Sequence, residues 1–448
     1  MRHNNWPAKV ACLAILLFAN CSQPHSSELA SSPQSRRLLG LPIEYQAATV
    51  SEKDLKRIKD SIRERRLFGW SVVAKVLSSI SVDQKWQVPA WTSWYGRDDF
   101  RRIFDKLFFD LGKEGRTTLR PFQLAQIEEG ERWNTNAISE VWSEADYQSW
   151  RSSIENAGQV RGLSGLQRVY FDRPVLQHVA RNYPLIHKCR QHASLANRSE
   201  CFDAEFPSNA AIVKTAWLRD DSQSSLPVYA TDARGMERNF EAQRWVEEPT
   251  TLRPGDDNIF IAQPSNNSPG HNKYWMPAMH IMVKDLPDWA WITIWWSDQP
   301  DGDFGEDRPD FIRRLGGPWS NYKMCIAVDY SDLADVAEIE ADYPTLAASL
   351  TVVKNHTAPY SWCSNPYIER GSKNHQTNCI GCHQHGGTSV RPDDVLKDEH
   401  NFPNGGRSRS RDTFPADYLW SLGVGEVGFA NFIEDTIKDY KNHDNRLE

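Results

Sequence analysis

The sequence predicts an α+β fold, and three observations support this expectation. Residues 51–165 carry apolar side chains at helical spacing, whereas residues 166–360 contain short β-prone runs between turn-rich segments. Residues 361–448 hold a cysteine and histidine motif in a polar, glycine-containing stretch. A chain of 448 residues is long enough for a large core and for two or three such regions.

The first 21 residues are predicted to be an export signal. Arg2 and Lys9 supply positive charge, and Val10–Ala19 is an apolar stretch followed by a candidate cleavage point. Ten residues are too few to span a bilayer as a helix. Cys21 stands where a lipoprotein signal places its acylated cysteine, so ordinary cleavage and an N-terminal lipid anchor both stay open. We therefore expect a periplasmic protein or one anchored to the outer membrane.

The region after the signal begins with a linker and continues with helices. Residues 22–50 are predicted to be a flexible linker, because their first part is rich in Ser, Pro and His. Ser51 starts a helix with a capping-box-like pattern. A second, buried helix is predicted after Gly69, and a third over 98–112, where apolar residues recur at helical spacing. The sequence therefore predicts that residues 51–165 are mostly helical.

The clearest β signal is a pair of strands in the middle of the chain. Residues 280–284 and 289–296 flank Asp285–Asp288, which predicts a hairpin with a short loop. Nearly every residue of the second strand is apolar or aromatic, so we expect both of its faces to be covered. Weaker β-prone runs precede the hairpin at 211–217, 226–229 and 258–261.

An acidic segment follows the hairpin at residues 298–310. Its carboxylates lie among glycines and prolines, but their spacing matches no EF-hand loop. A solvated acidic loop is therefore favoured over a calcium site.

The motif with the strongest chemical meaning is Cys379-Ile-Gly-Cys382-His383. C-x-x-C-H is the attachment pattern of a c-type haem, in which both thiols add to porphyrin vinyl groups and the histidine binds the iron. We expect one covalent haem c, held by Cys379 and Cys382, with His383 as proximal ligand. A thioredoxin-like pair, a structural zinc site and a plain disulfide between the two cysteines are the alternatives.

Four other cysteines are left for disulfide bonds once the export segment and the motif are set aside: Cys189, Cys201, Cys325 and Cys363. In an oxidising compartment they allow three pairings. The pairing of Cys189 with Cys201 and of Cys325 with Cys363 closes the shortest loops. Buried thiols are the alternative.

The sixth iron ligand is the open question of this site. All six methionines precede Cys379, so a ligand must come from upstream, be a histidine or be absent. Strand alternation puts His280 and Met282 on one face and Met279 on the other. We favour His280 as the sixth ligand, because imidazole is the strongest donor in this segment. Met282, Met279 or no ligand at all are the alternatives. His280 is otherwise a buried core residue with a purely structural role.

After the motif, residues 429–440 carry apolar side chains at helical intervals. They are predicted to form an amphipathic helix, which either closes over the haem or covers another apolar patch.

Charge and composition limit the class of partner. The net charge is −7 and the pI is near 6.0, which argues against a nucleic-acid binder. The chain has 18 tryptophans, which suit packing against a cofactor but are more simply explained by an aromatic core. The partner we expect is a redox protein or a small electron acceptor.

Several segments resemble a family of largely uncharacterised, exported bacterial proteins of the c-type cytochrome class. The segments that carry the resemblance are MHIMVKDLPDWAWITIWWSD (279–298), DFGEDRP (303–309), PWSNYKMC (318–325), WCSNPYIE (362–369) and NCIGCHQHGG (378–387). The likeness spans roughly residues 205–390. It implies one haem bound through Cys379, Cys382 and His383, and it implies no known substrate.

The sequence thus predicts an exported monohaem c-type cytochrome that transfers electrons. A haem enzyme with an open distal site, acting on peroxide or another small oxidant, is the alternative, because no methionine follows the motif. A third interpretation treats the aromatic β region as a binding module.

Overall fold

The protein is described here by a computed structural model. The described residues are 43–82, 86–96, 100, 103–104, 106–107, 166–191, 204–220, 224–262, 274–358, 360–369, 371, 373–387, 395, 409 and 415–420. Three features from the sequence analysis lie outside these residues: the predicted export signal with Cys21, the cysteine Cys201 and the predicted helix at 429–440.

Helices and antiparallel strands both occur, so the predicted α+β class is confirmed. The helices are α1 (Glu52–Asp60), α2 (Ile62–Leu77), α3 (Arg173–Gln191), α4 (Ala233–Glu241), α5 (Asp310–Arg313), α6 (Ala337–Glu340), α7 (Pro344–Thr357) and α8 (Cys379–His383). The strands are β1 (Ser79–Val82), β2 (Trp86–Pro89), β3 (Leu166–Phe171), β4 (Ala211–Arg219), β5 (Leu226–Pro227), β6 (Thr251–Leu252), β7 (Ile261–Ala262), β8 (Tyr274–Val283), β9 (Ala290–Trp296) and β10 (Tyr322–Ala327).

The main sheet has the strand order β10-β9-β8-β4-β3, with β7 paired to one end of β8. All neighbours are antiparallel. The predicted hairpin is confirmed, because β8 and β9 pair from Val283 opposite Ala290 onward. Every residue of β9 is buried, as expected for a strand that is covered on both faces.

The first two helices break at a different residue from the predicted one. The predicted boundary at Gly69 is wrong, because the break falls at Ser61, whose hydroxyl caps α2 by accepting the backbone N–H of Glu64. Gly69 lies inside α2 against β10, where a Cβ would stand 3.1 Å from Met324 and 3.2 Å from Ile326. The glycine therefore lets the helix approach the sheet closely.

The acidic segment is only partly the solvated loop that the sequence predicts: Asp301 and Asp310 are exposed, whereas the carboxylates between them are paired. Asp303 is 4% exposed and its carboxylate lies 2.7 Å from the Nζ of Lys323. Asp307 binds Arg66 at 2.6 Å, and Glu306 accepts backbone N–H groups at the start of α7. The cations that pair with these carboxylates come from distant segments, so the local sequence gave no sign of them.

One continuous apolar core joins the predicted regions, with members from Tyr45 to Leu419. On one face of the sheet, α2 packs against β10; on the other lies the segment 360–387, which carries α8. Many tryptophans are fully buried in this core: Trp70, Trp91, Trp94, Trp217, Trp275, Trp289, Trp291 and Trp295. Among the described helices, none is both long and apolar enough to cross a membrane.

Candidate functional site

The cysteine motif forms the short helix α8. The Asn378 side chain caps it by accepting the backbone N–H of Gly381 at 3.2 Å. A 3₁₀ turn over Asn374–Gln376 precedes the cap, in place of the buried strand that a thioredoxin-like site requires. Cys379 and Cys382 are not joined in a disulfide. Both sulfur atoms are therefore available to form a bond with another group.

His383 is held by a backbone carbonyl. Its Nδ1 lies 3.0 Å from the carbonyl oxygen of Tyr418, and the Trp291 ring packs against the imidazole at 4.4 Å between centroids. Burial lowers the pKa of His383 to about 4, although the bond to Tyr418 opposes part of this change. The ring is therefore neutral at pH 7, and because a carbonyl only accepts, Nδ1 carries the proton. Nε2 is then the lone-pair donor.

The middle of the sheet presents two polar side chains to this helix. Lys214 of β4 lies directly opposite His280 of β8, and His280 lies opposite Thr293 of β9. His280 is partly exposed, whereas the other residues of β8 are buried. Lys214 of β4 is also partly exposed, and its neighbours in the strand are buried. Partial exposure in the middle of covered strands indicates a recess between the sheet and the segment that carries α8.

Glu369 adds a carboxyl group to the same recess. Its Oε1 lies 3.8 Å from Nε2 of His280, and its Oε2 accepts the backbone N–H of Asn365 at 2.5 Å. Burial raises the pKa of Glu369 to about 7, and burial lowers the pKa of Lys214 to about 8. Each group partly offsets the shift of the other. The recess therefore contains a carboxyl and an amine that both titrate near neutral pH.

His280 is a neutral imidazole with an available nitrogen. Burial, together with the nearby charge of Lys214, holds its pKa well below the usual value. Its Nε2 has no hydrogen-bond partner among the described residues. Met282 lies on the same face of β8, whereas Met279 is fully buried on the opposite face. The structure therefore leaves His280 and Met282 as upstream candidates that face the recess.

The environment of Cys379 favours an uncharged sulfur over a thiolate. It is buried beside the carbonyl oxygen of Cys363 at 3.5 Å, and burial raises its pKa well above the usual value. A zinc ligand must be a thiolate, which this environment disfavours, whereas a thioether carries no charge. No group of three potential metal-binding side chains is found within the part of the chain that the structure describes.

A disulfide bond fixes the covering segment to the sheet. Cys325 of β10 is bonded to Cys363, which is one bond of the pairing that closes the shortest loops. Two residues further on, the Asn365 side chain donates to Thr293 at 2.6 Å and to the carbonyl oxygen of Ile294 at 3.0 Å. These bonds hold Glu369 and α8 over the recess. The other bond of that pairing would involve Cys201, which lies outside the described residues.

The residues at this site fit a covalently attached haem. Two cysteine sulfurs outside any disulfide lie on α8. The Nδ1 of His383 contacts a carbonyl oxygen, which is the usual arrangement for the non-coordinating nitrogen of a metal-binding histidine. The unpartnered Nε2 of His280 is a buried polar atom for which the described chain supplies no bond. A bond from this nitrogen to the iron of a bound haem would satisfy it.

Sequence reasoning found the motif and His280 but missed Lys214, Glu369 and Tyr418. Lys214 left one signal, since it is the single charge in the β-prone run from Ala211 to Trp217. Glu369 and the Tyr418 carbonyl left none, because their roles arise only from long-range packing.

The comparisons with known proteins do not assign the chain to a group. No protein-family model matches it, and no curated protein or solved structure shows significant similarity to it.

Proposed function

We propose that the chain is an exported monohaem c-type cytochrome that transfers electrons to or from a redox protein or a small acceptor. Cys379 and Cys382 would hold the haem as thioethers, His383 would be the proximal ligand and His280 the sixth. The observation that carries this proposal is the 3.0 Å contact between Nδ1 of His383 and the Tyr418 carbonyl. This contact places the proton on Nδ1, so the Nε2 of the motif histidine has a free lone pair with which to bind iron.

The chemistry supplied by the group is a one-electron change between ferric and ferrous iron. The chain's own residues orient and enclose it. Trp291 packs against the His383 ring and Tyr418, so it keeps water from the proximal imidazole. The pKa values of both histidines are lowered, so both rings are neutral and able to bind metal at pH 7.

Export is part of the proposal and rests on two features. The first 21 residues have the composition of a signal, and a disulfide between Cys325 and Cys363 is typical of an oxidising compartment. Lipidation of Cys21 would add an anchor to the outer membrane.

The test is a visible absorption spectrum of the full chain, produced with haem-maturation machinery, in oxidised and dithionite-reduced forms. We expect a sharp reduced α-band and a haem that stays on the chain after acid and organic extraction. The variant Cys379→Ala/Cys382→Ala should lose the extraction-resistant haem, whereas Cys325→Ala/Cys363→Ala, which removes two other cysteines, should keep it. Complete extraction of haem from the parent protein would refute the proposal.

A haem enzyme with an open distal site is the second candidate, and the Lys214, His280 and Glu369 cluster favours it. An electron carrier needs no acid or base there, whereas a carboxyl with a pKa raised to about 7 can hold and release a proton at neutral pH. A high-spin spectrum would support this candidate. Peroxide should then reoxidise the reduced protein faster than free haem, and Glu369→Gln should slow that reaction; equal rates with free haem would exclude it.

A further inference from the structure

The carbonyl that holds His383 belongs to a strained turn. We name the segment Pro415–Tyr418 the Tyr418 turn. Asp417 and Tyr418 have φ values of 45° and 71°, so both lie in the left-handed region that residues with a Cβ rarely adopt. Two such residues in succession persist only where the surroundings hold them in place.

Side chains of the β8–β9 hairpin loop supply that restraint. The Nζ of Lys284 lies 2.9 Å from Oδ1 of Asp417, and both side chains are nearly fully buried. The hydroxyl of Tyr418 donates to Oδ1 of Asp288 at 2.9 Å and lies 3.2 Å from the hydroxyl of Tyr330. The two strained residues are thus each fixed to one end of the same five-residue loop region, 284–288.

The restrained carbonyl fits closely against α8 and the residues that follow it. A Cβ on Gly386 would stand 2.5 Å from the carbonyl oxygen of Tyr418. Glycine is therefore required for the turn to come this near to His383. The close approach and the strained backbone are independent features that both serve the position of one oxygen atom.

We propose that Lys284 and Asp288 are positioning residues that act through the Tyr418 turn to fix the Nδ1–H tautomer and the ring orientation of His383. This inference rests on the proposed function, because it explains how Nε2 is directed toward iron. A neutral histidine in water prefers to carry its proton on Nε2. In that tautomer Nε2 has no free lone pair with which to bind iron. A carbonyl held 3.0 Å from Nδ1 reverses that preference.

The first arm of the test needs no haem. Nitrogen-15 NMR of the histidine-labelled, haem-free full chain distinguishes the two tautomers, and the His383→Gln variant identifies the resonance. We expect Nδ1–H alone for His383 at pH 7. Tyr418→Phe removes the bond to Asp288 but keeps the carbonyl, so we expect a mixture of tautomers and faster exchange of the Nδ1 proton with water.

A matched control and a second variant separate positioning from general destabilisation. Tyr322→Phe also removes a buried tyrosine hydrogen bond, to the carbonyl oxygen of Met276 at 2.7 Å, and should leave the His383 tautomer unchanged. Gly386→Ala should displace the Tyr418 carbonyl and give the same mixture as Tyr418→Phe. A mixed tautomer in the parent chain, or an unchanged tautomer in both Tyr418→Phe and Gly386→Ala, would overturn the inference.

The second arm uses the haem-loaded protein. A hydrogen bond from Nδ1–H to a fixed carbonyl makes the imidazole a stronger donor and stabilises ferric iron. Tyr418→Phe should therefore raise the midpoint potential, and Tyr322→Phe should not; equal potentials in all three proteins would count against the inference. If haem is never attached while the tautomer behaves as expected, the proposed function fails and the positioning role stands.

Discussion

His280 occupies the middle of β8, where its Nε2 faces the recess without a hydrogen bond from the described residues. In the haem-loaded protein, His280→Ala should convert a low-spin spectrum to a high-spin one, because the sixth ligand is lost. His280→Met should keep the low-spin spectrum and raise the midpoint potential, since a thioether ligand favours ferrous iron. Absorption spectra and potentiometric titration would measure both changes.

The two methionines of the same strand serve as controls for His280. Met279 lies on the opposite face, so Met279→Leu should leave the spectrum unchanged. Met282→Leu should also leave it unchanged if His280 is the ligand. Loss of the low-spin spectrum in Met282→Leu alone would show that methionine binds the iron and that our choice of His280 is wrong.

Glu369 makes the stability of the haem-free chain depend on pH. Burial raises its pKa from 4.5 to about 7, so between these values the folded chain binds a proton that the unfolded chain has released. The stabilisation is complete below pH 4.5 and is lost as the pH rises toward 7. At 1.36 kcal/mol per pKa unit, the loss amounts to roughly 3 kcal/mol at most.

The Glu369→Gln variant tests this dependence. We expect the free energy of unfolding of the parent chain, measured with urea from pH 4.5 to 7, to fall relative to that of Glu369→Gln. The exposed Glu52→Gln variant controls for the removal of a carboxylate and should run parallel to the parent chain. Parallel curves for Glu369→Gln would mean that the carboxyl is not desolvated as described.

At the scale of elements, a buried ion pair joins helix α2 to the acidic segment that follows β9. Both oxygens of Asp307 bind Arg66, at 2.6 and 2.7 Å, and Trp70 donates to the same carboxylate at 3.1 Å. Arg66 also donates to the carbonyl oxygens of Met324 and Phe304. Asp307→Ala leaves this guanidinium buried without a counter-charge, which costs about 3–5 kcal/mol.

Asp310, in the same acidic segment, provides the control. Its side chain is 81% exposed, so Asp310→Ala should change the free energy of unfolding by less than about 1 kcal/mol. Urea denaturation of the two variants measures the difference. Equal effects would show that Asp307 is no more important than a surface carboxylate.

These elements also show how far local sequence information reaches. The β8–β9 hairpin and the covering of β9 were predictable, because the two strands and their loop are adjacent in the chain. The prediction of a solvated acidic segment is correct for Asp310 but wrong for Asp303 and Asp307, because Lys323 and Arg66 reach these two from other parts of the chain. The role of Gly69 was missed for the same reason, since it depends on contact with β10.

At the scale of the whole molecule, the candidate site is assembled from segments far apart in sequence. C-x-x-C-H carries its meaning locally, so Cys379, Cys382 and His383 were predictable. The lysine beside His280 follows from strand register, and the Tyr418 carbonyl follows from a turn fixed by the hairpin loop. Neither relation leaves a pattern in the sequence, because register and loop packing are set by the complete fold.

The disulfide between Cys325 and Cys363 connects the sheet to the segment that covers the recess. It closes a loop with a sequence separation of 38, for which the chain-entropy treatment gives roughly 4 kcal/mol of stabilisation. We expect Cys325→Ala/Cys363→Ala to lower the free energy of unfolding by about 2–4 kcal/mol. In the haem-loaded protein, it should also weaken the low-spin spectrum, because the disulfide helps to hold α8 against the sheet.

Treatment with a reductant distinguishes the contribution of the Cys325–Cys363 disulfide from that of a second disulfide. Thioether bonds resist thiol reductants, so dithiothreitol should destabilise the haem-loaded parent protein without releasing haem. If Cys325 and Cys363 account for the whole effect, the reductant should not change the unfolding of the double variant. A further loss of stability in that variant would instead indicate a second disulfide, for which Cys189 and Cys201 are the remaining candidates. No response of the parent protein to reductant would contradict a stabilising disulfide in this fold.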